Sequence, residues 1–425
     1  MLIYTVQPGD YLYNLTQKYN LNIEQVIKEN GLKEIPYLIP GQALIFNKEQ
    51  LEYTVQVGDT ISSIGRLFNT SPINIMRDNN LTNMGELAVG MPLMINGQNQ
   101  ILGTIEVNGY MVPEAPEIDQ LVVNEVAADL TYITPSNYIV NADGSLRPFD
   151  DTAIVAAAKE NGTQLLMSIS NAGGPGFDPE RAHIIFSSIE VQDTLFDNML
   201  EIMKDKGYNG VNVNFEMLYP EDRQLYNDFL VRAVDFFHQY DYPVSTALVP
   251  KTYDMITGKW WGGHDYKAQG AIVDFIVVMT YDWGCGACPP MAVAPVNEIR
   301  KVLDYAVTVI PREKILMGVP FYGFDWKLPF ETGDMGRLVD YTSALKIAAE
   351  TGSHIEFDIL SQAPYFYYFD PEGIRHVVWF EDARSFRAKY QLVDQYGLRG
   401  VSYWVLGLDA PQNWVVLRSM FLVAQ

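Results

Sequence analysis

Eight short apolar runs, separated by segments of helical periodicity, organise the chain from about residue 104 onward. The runs lie at 104–110, 130–134, 164–170, 210–216, 243–249, 273–281, 314–320 and 399–404. Amphipathic patterns predict helices at 150–161, 221–239, 295–309 and 382–396. Eight strands that alternate with helices predict an α/β fold of the (β/α)₈ type, the TIM barrel, with a doubly wound sheet as the structural alternative.

The region before residue 104 has a different pattern, because it contains one motif twice. Tyr-Thr-Val-Gln-Pro-Gly-Asp at residues 4–10 returns at 53–59 as Tyr-Thr-Val-Gln-Val-Gly-Asp, an offset of 49 residues that also relates Gly41 to Gly90. Each copy combines an opening strand, a Gly-Asp turn, helical patterning and a closing strand, which predicts tandem modules. The predicted domains are modules at 1–47 and 52–96, a linker at 97–103 and the barrel at 104–425.

The predicted fourth barrel strand carries three polar side chains on one face. Asn212, Asn214 and Glu216 alternate with apolar residues, so all three point to the same side. Burying two amides and an acid is costly unless each finds a partner. Since a barrel keeps its active site at the C-terminal ends of its strands, Glu216 is the candidate proton donor; the alternative is a strand with a polar inner face.

Other polar and aromatic residues lie at the ends of the neighbouring predicted strands. Tyr110 closes strand one, Tyr281 and Asp282 close strand six, Tyr322 follows strand seven, and Trp404 lies on strand eight. Aromatic rings at a barrel mouth suit the apolar faces of sugar rings, whereas aromatic residues elsewhere fill the core. For Trp379 and Trp414 the two interpretations stay equally open.

Composition and charge narrow the classes of function. The chain has 425 residues, 48% of them hydrophobic, and a formal net charge of -23, which argues against a nucleic-acid partner. The acidity suits solubility or an extracellular-type polymer substrate, and a simply acidic surface explains it equally well. No apolar run approaches 18 residues, so we expect no membrane span. The first residues lack the features of a secretory signal peptide, so we expect synthesis without one.

The cysteines and histidines predict neither a metal nor another cofactor. Cys285 and Cys288 lie in a loop rich in glycine and proline, and the five histidines are scattered along the chain. Two thiols without nearby histidines do not complete a four-ligand zinc site. A redox pair is expected at the start of a helix, so a local disulfide or free thiols are the favoured interpretations.

The repeat resembles the LysM family, whose pattern ends in Asn-x-Leu and then Pro-Gly-x-x-Leu. Residues 40–44 match that closing element, whereas Val89 replaces its proline in the second copy. The resemblance implies βααβ modules that bind N-acetylglucosamine-containing glycans, including peptidoglycan and chitin. The alternative is a repeat that serves only as a spacer or assembly contact.

Residues 104–425 resemble glycoside hydrolase family 18, the chitinase-like enzymes. The family's strand-four signature, Asp-Gly-x-Asp-x-Asp-x-Glu, falls on residues 209–216, and its Met-x-Tyr-Asp motif is present at 279–282. Residues 168–174 resemble its Ser-x-Gly-Gly element on strand three. Each motif alone is weak evidence for the family, but together, in the family's order and each on its expected strand, they are strong evidence. The resemblance implies a retaining, substrate-assisted mechanism, an exception to the two-carboxylate scheme.

The same resemblance implies roles for the residues at the mouth. Glu216 would protonate the leaving oxygen while the substrate's 2-acetamido oxygen attacks the anomeric carbon, and would later take a proton from water. Tyr281 would bind the acetamido carbonyl, Asp282 would hold the acetamide or Glu216, and Trp404 would form the floor beneath the sugar. The other predicted substrate-binding residues are Asn212, Met279, Tyr322 and Tyr110.

Asparagine stands at positions 209, 212 and 214, where the family signature has aspartate. Asn214, two residues before the acid, can accept the acetamido N–H but supplies no charge, so orientation survives while electrostatic stabilisation weakens. A carboxylate at 214 would also help keep Glu216 protonated by repulsion. We therefore predict a more acidic functional pKa for Glu216 beside Asn214 than beside an aspartate.

Two LysM modules before a family 18 barrel resemble the spore cortex-lytic enzymes of the SleL or YaaH type. This resemblance implies an N-acetylglucosaminidase that cleaves β-1,4 bonds of cortex peptidoglycan during germination, at the boundary of spore coat and cortex, and we expect a monomer. Two alternatives stay open. One is a catalytically silent, lectin-like coat or wall protein, and the other is a chitinase.

The segment between the last two predicted strands, 321–398, leaves room for an insertion. Residues 327–376 can supply strands and a short helix but not a complete α+β wall, so we predict a shallow cleft. Glu381 and Asp382 resemble a family element at the cleft rim, and capping of the next helix is the alternative role for Asp382.

Overall fold

The structure is a computed structural model that describes residues 1–97, 101–174 and 176–425. Residues 98–100 of the predicted linker therefore lie outside the described residues. None of the helices in the described ranges has the length and apolar character that a membrane crossing requires. The domain limits given above remain predictions, but the elements within them are defined.

Both repeats fold as βααβ modules, as predicted. The first consists of β1 (Leu2–Thr5), α1 (Leu12–Lys18), α2 (Ile23–Glu29) and β2 (Ala43–Phe46), and the second of β3 (Gln50–Thr54), α3 (Ile61–Leu67), α4 (Pro72–Asp78) and β4 (Pro92–Asn96). In each, the first and last strands pair antiparallel. The repeated motif closes on itself, because the hydroxyl of Tyr4 donates to Asp10 at 2.7 Å and that of Tyr53 to Asp59 at 2.6 Å.

The remaining elements follow in chain order. The first half has β5 (Gly103–Met111), α5 (Pro116–Val126), β6 (Tyr132–Pro135), β7 (Tyr138–Val140), β8 (Leu146–Arg147), α6 (Thr152–Asn161), β9 (Gln164–Ser170), β10 (Ala172–Gly173), β11 (Gly176–Phe177), α7 (Pro179–Ser187) and α8 (Ile189–Lys206). Next come β12 (Gly210–Asn214), α9 (Arg223–Phe237), β13 (Val244–Leu248), α10 (Tyr266–Ile272), β14 (Phe275–Val278), α11 (Val296–Val309) and β15 (Ile315–Pro320). The last are β16 (Gly323–Leu328), β17 (Arg337–Val339), α12 (Tyr341–Thr351), β18 (Glu356–Asp358), β19 (Ala363–Phe369), β20 (Arg375–Trp379), α13 (Ala383–Tyr396), β21 (Gly400–Leu406), α14 (Pro411–Met420) and β22 (Phe421–Val423).

Eight of these strands close into a parallel barrel. The order around it is β5, β6, β9, β12, β13, β14, β15 and β21, and the pairing of β21 with β5 completes the ring. The ring is closed, so the alternative of a doubly wound sheet is wrong. All eight predicted strands and all four predicted helices are present. Because all the strands run the same way, their C-terminal ends meet at one mouth.

The insertion after β15 is a five-stranded antiparallel sheet with one helix, α12. Its strands lie in the order β17, β16, β20, β19 and β18. Phe366 and Val378, on one sheet face, are buried in a cluster that also contains Ala344 and Ala348 of α12. The predicted strands and short helix are both present, and the same cluster continues into the two N-terminal modules.

The first module is docked on the insertion and the barrel. The backbone N–H of Ile355 donates to the carbonyl of Pro40 at 2.9 Å. The buried amide of Gln412 donates to Asn30 Oδ1 and to the carbonyl of Ala43, both at 2.8 Å. Buried hydrogen bonds of this kind are costly to break, because each buried polar group left without a partner lowers the free energy of unfolding by about 1–3 kcal/mol. The first module is therefore fixed to the barrel.

The second module is held through the first and by a hydrogen bond from a barrel helix. The ring of Phe68 lies 5.7 Å from that of Tyr4, 6.1 Å from Tyr19 and 5.3 Å from Tyr53. Arg387 of α13 donates to the carbonyl of Asn69 at 2.5 Å. The packed rings join the two repeats into one unit.

The repeat itself offers a test of the docking. Gly41 and Gly90 are equivalent and have φ of +85° and +86°, but an added Cβ would lie 1.8 Å from the carbonyl oxygen of Ile355 at Gly41 and within 4 Å of nothing at Gly90. We expect Gly90→Ala to cost about 1 kcal/mol of unfolding free energy and Gly41→Ala at least about 3 kcal/mol, measured by chemical denaturation. Equal losses would contradict a tight interface between the first module and the insertion.

Candidate active site

The predicted site residues meet at a cavity of about 640 Å³ in the barrel mouth. Its lining includes seven of the nine predicted residues, namely Tyr110, Asn214, Glu216, Met279, Tyr281, Asp282 and Trp404. Tyr322 hydrogen-bonds to one of them, Asp282, and Asn212 lies below, hydrogen-bonded to Tyr110. The fold therefore brings the residues of strands one, four, six, seven and eight together.

Glu216 lies two residues beyond the end of β12, and a neighbouring side chain fixes its backbone. The amide of Asn171, directly after β9, donates to the carbonyl of Glu216 at 2.8 Å, and its oxygen accepts the N–H of Glu216 at 3.0 Å. Asn171 was not among the predicted site residues, although it lies within the motif at 168–174. The only sequence signal for it is its place at the end of the strand beside β12.

The environment of Glu216 favours its protonated form. Burial, with a smaller contribution from the negative charge of Asp282, raises the pKa of Glu216 to about 8, and the amide of Asn214 opposes this rise by favouring the charged form. At neutral pH the carboxyl group therefore holds a proton that it can donate. Asn214 lowers the pKa of Glu216, which is the direction that we predicted for an asparagine compared with an aspartate. The difference between the two residues stays a prediction.

The three asparagines of the strand-four signature have different surroundings. Asn209 accepts the backbone N–H of Leu165 at 2.8 Å, and Asn212 accepts the hydroxyl of Tyr110 at 2.8 Å and donates to Ser245 at 3.0 Å. Asn214 Oδ1 is buried and has no protein hydrogen-bond partner in the described part of the chain. Of the three, Asn214 alone lines the cavity, so its oxygen is the one that a substrate N–H can reach.

Asp282 is held by an aromatic residue from the next strand. The hydroxyl of Tyr322 donates to Asp282 Oδ1 at 2.5 Å, and burial raises the pKa of Asp282. Tyr281 is buried beside them, with its ring 6.5 Å from that of Tyr322. Gly318 on β15 makes room for it, since a Cβ there would lie 2.7 Å from the Tyr281 ring.

Trp404 lies between the cavity and a second, adjoining one of about 910 Å³. Its ring is 5.6 Å from that of Tyr110, and it lines both cavities. Glu114, Asp119 and Asp150 also line the second cavity, and its lining includes no lysine or arginine among the described residues. The floor position predicted for Trp404 is compatible with this location.

Two further tryptophans line the cavity and were not predicted. Trp260 and Trp261 belong to the loop of residues 250–265, which follows β13 and which we call the tryptophan loop. Its sequence signal is weak, because Trp260 comes 11 positions after Val249, the last residue of the predicted strand. Their place at the site depends on how the loop folds back.

Buried and half-buried cations hold the tryptophan loop. The ammonium group of Lys251, itself 1% exposed, donates to the carbonyls of Met255 and His264. Burial lowers the pKa of Lys251 to about 8. Arg223 bridges Asp254 at 2.8 Å and Asp265 at 3.0 Å, near the two ends of the loop. Together these contacts hold the loop that carries both tryptophans.

The two cysteines, which also line the cavity, form a disulfide between residues 285 and 288. The predicted local disulfide is therefore present, and the alternative of free thiols is wrong. Within residues 1–97, 101–174 and 176–425, no cluster of three or more histidine, cysteine or acidic side chains has the arrangement of a metal site.

Glu381 and Asp382 contribute to the packing of α13. Asp382 caps that helix by accepting the N–H groups of Arg384 and Ser385, so the alternative role of a helix cap is confirmed. Glu381 is buried and pairs with Lys389 at 2.7 Å. Glu381 does not line the catalytic cavity, so its role at the cleft rim stays a prediction. Trp414 is also structural, because its ring packs against Phe321 and Tyr403.

Comparison with protein families agrees with both parts of the architecture. Residues 108–409 match the model of glycosyl hydrolases family 18, and residues 4–47 and 53–96 each match the LysM domain. The chain is 42% identical over 429 residues to the cortical fragment-lytic enzyme of Bacillus anthracis, which covers 100% of this chain and 99% of that protein. It is 39% identical to the Bacillus subtilis enzyme of the same name over 76% of this chain and 75% of that protein.

Solved structures give the same result. The spore cortex-lytic enzyme SleL of Bacillus cereus superposes with a TM-score of 0.87 at 36% identity, covering 99% of this chain and 98% of that one. The spore cortex-lytic enzyme SleL of Bacillus megaterium superposes with a TM-score of 0.86 at 36% identity, covering 99% of this chain and 98% of that one. The chain therefore belongs to the glycosyl hydrolases of family 18 and is similar over its whole length to cortical fragment-lytic enzymes.

Proposed function

We propose that this glycoside hydrolase is a retaining, substrate-assisted N-acetylglucosaminidase that cleaves β-1,4 bonds of spore cortex peptidoglycan during germination. The observation that carries the proposal is the pairing of a protonated, partly buried Glu216 with Asn214, whose amide oxygen has no protein partner among the described residues. The names of the similar proteins support the cortex as the place of action. The location at the boundary with the coat is part of our proposal. The monomeric state stays a prediction.

In the first step the substrate supplies its own nucleophile. The carbonyl oxygen of the 2-acetamido group attacks the anomeric carbon, and the glycosidic bond breaks as Glu216 transfers its proton to the leaving oxygen. Asn214 Oδ1 accepts the acetamido N–H, and the Tyr281 hydroxyl donates to the acetamido oxygen. These contacts orient the acetamide for attack on the face opposite the leaving group.

In the second step the carboxylate of Glu216 takes a proton from water, and the hydroxide adds to the anomeric carbon as the oxazolinium ring opens. Two inversions at this carbon give net retention. With a neutral amide at 214, Asp282 is an acid of the mouth whose charge already acts on Glu216. We assign Asp282, held by Tyr322, the electrostatic part of the role that an aspartate at position 214 has in the family signature.

The LysM modules would add affinity for the same polymer. Because the first module is fixed to the barrel, a glycan strand held by it stays close to the mouth, which raises the local substrate concentration. The cavity walls formed by Trp260, Trp261 and Trp404 supply flat rings for the sugars at the site.

Cleavage of cortex fragments tests the proposed reaction. Mass spectrometry of spore-cortex fragments incubated with the protein should show new products that end in reducing N-acetylglucosamine. These products should be absent with Glu216→Gln, which keeps the shape of the side chain but has no proton to donate. Fragments that are bound yet uncut by both proteins would instead indicate a glycan-binding protein without hydrolytic activity.

The pH profile tests the pairing of residues 214 and 216. Glu216 acts as an acid only when protonated, so kcat/KM should fall as the pH rises through its pKa of about 8. Asn214→Asp places a like charge beside Glu216, so we expect the falling limb to move to higher pH by about one unit. Asn209→Asp, at the opposite end of β12, is the control and should leave the profile unchanged. A limb that moves to lower pH in Asn214→Asp would contradict the pairing.

Substitution of Lys251 tests the role of the tryptophan loop. Lys251→Met keeps the length of the side chain but leaves two carbonyls without a donor, so we expect a displaced loop and a KM raised about tenfold, or about 1.4 kcal/mol of binding. We expect kcat to change less than KM, because no reacting atom is touched. Lys259→Met, exposed on the same loop, is the control.

Trp260→Ala gives a second measurement if Lys251→Met lowers thermal stability. Trp260 is 43% exposed, so its loss should spare the fold while raising KM in the same direction. An unchanged KM in Trp260→Ala would show that the loop does not bind substrate.

A further inference from the structure

The loop between β14 and α11 carries the only two cysteines of the chain, and the proposed reaction does not use them. Cys285 and Cys288 form a disulfide, and both residues are partly exposed and line the catalytic cavity. The N–H of Gly284 donates to the carbonyl of Ala292 at 3.1 Å and closes the segment around them. We call residues 284–292 the disulfide loop. A small molecule that enters the cavity therefore reaches this loop.

Few other contacts hold the disulfide loop in its conformation. The backbone of residues 285–291 makes two hydrogen bonds with described residues. The N–H of Cys288 donates to the carbonyl of Cys285 at 2.9 Å, and the N–H of Gly336 donates to the carbonyl of Gly286 at 2.7 Å. A disulfide restricts the conformations of the segment that it closes, so reduction would give this part of the cavity wall more freedom.

The disulfide loop also packs close to the residues that act on the catalytic acid. A Cβ on Gly286 would lie 3.2 Å from the ring of Phe324, and that ring lies 5.7 Å from the ring of Tyr322. Tyr322 in turn donates to Asp282, whose charge acts on Glu216. A change in the loop would therefore alter a wall of the cavity and the surroundings of Asp282.

We propose that the disulfide between residues 285 and 288 is a redox modification site: a small-molecule thiol reduces it, and the reduced enzyme binds its substrate less tightly. The proposal rests on the proposed function and adds a control of the same site. No relative or family property is needed for it, because it depends on two cysteines of this chain and on their place in the cavity.

The reduction is an ordinary thiol–disulfide exchange. A thiolate of the reagent attacks one cysteine sulfur, the S–S bond breaks, and its electron pair leaves on the other cysteine sulfur, which takes up a proton. A second thiol of the reagent attacks the mixed disulfide and releases the first cysteine, which is also protonated. Two thiols of the reagent become one disulfide, and the protein disulfide gains two electrons and two protons.

Reduction weakens binding because the loosened wall must then be ordered when the substrate enters. In the oxidised protein the crosslink has already ordered residues 285–288, so this cost falls on binding only after reduction. We expect a loss of affinity of about fivefold. Glu216 keeps its backbone hydrogen bonds to Asn171, so kcat should fall less than the affinity.

Thiol labelling of the folded protein tests whether the site can be reduced. The full-length protein is treated at neutral pH with dithiothreitol and then with iodoacetamide, and its intact mass is measured. We expect both cysteines to be alkylated under conditions in which circular dichroism shows an unchanged fold. A disulfide that reacts only after the protein unfolds would overturn the proposal.

Calorimetric binding measures the consequence of reduction. Spore-cortex fragments are titrated into full-length Glu216→Gln, which binds without cutting, in its oxidised form and after reduction by dithiothreitol. The affinity should be about fivefold lower after reduction and should return when diamide restores the disulfide. Equal affinity in the two forms would also overturn the proposal.

The matched control adds Cys285→Ser and Cys288→Ser to Glu216→Gln. Since the chain has no other cysteine, this variant should bind as the reduced protein does and should not respond to dithiothreitol. A response would show that the reagent acts elsewhere and would contradict the proposal. If the serines lower thermal stability, Cys285→Ala with Cys288→Ala takes their place. Failure of the proposed function is a separate result, because it would appear as uncut cortex fragments with the oxidised wild-type protein.

Discussion

The desolvation of one carboxyl group at the end of β12 governs the chemistry of the barrel mouth. Glu216 is only partly exposed to water, so its charged form is penalised and it keeps its proton at neutral pH. That proton is useful only if the group is held in place, and Asn171 holds its backbone from the neighbouring strand. The rest of the mouth can then be nearly uncharged, with Asp282 as the one additional acid that acts on Glu216.

The insertion after β15 connects the binding and catalytic parts of the chain. One face of its sheet joins α12 and the two LysM modules in a single apolar cluster. On the other face Trp326 and Val377 are buried, whereas Tyr367 and Phe369 are exposed. The shared apolar cluster explains why the modules are docked instead of tethered. It also means that the positions of the modules relative to the mouth are set by packing, not by the length of the linker.

The fold could be predicted from the sequence because its main signals are local. Strands of a parallel barrel are buried on both faces and read as apolar runs, and the repeat was visible as an offset of 49 residues. The site could be predicted as far as its residues lie at strand ends. Asn171, Lys251 and Trp260 could not, because their roles depend on contacts between segments that are distant in sequence, such as the hydrogen bonds from Asn171 to a residue 45 positions away.

The asparagines show why even a correct motif leaves the chemistry open. Positions 209, 212 and 214 look equivalent in the sequence, yet the first two have their oxygens satisfied by Leu165 and Tyr110. At these two positions an amide can replace a carboxylate with little effect on the reacting atoms. Only at Asn214 does the oxygen lack a protein partner among the described residues, so only there does the missing charge change the site. Of the three asparagines that stand where the signature has aspartate, only Asn214 therefore changes the chemistry of the site. Its side chain contacts Glu216, the carboxyl group whose proton the reaction needs.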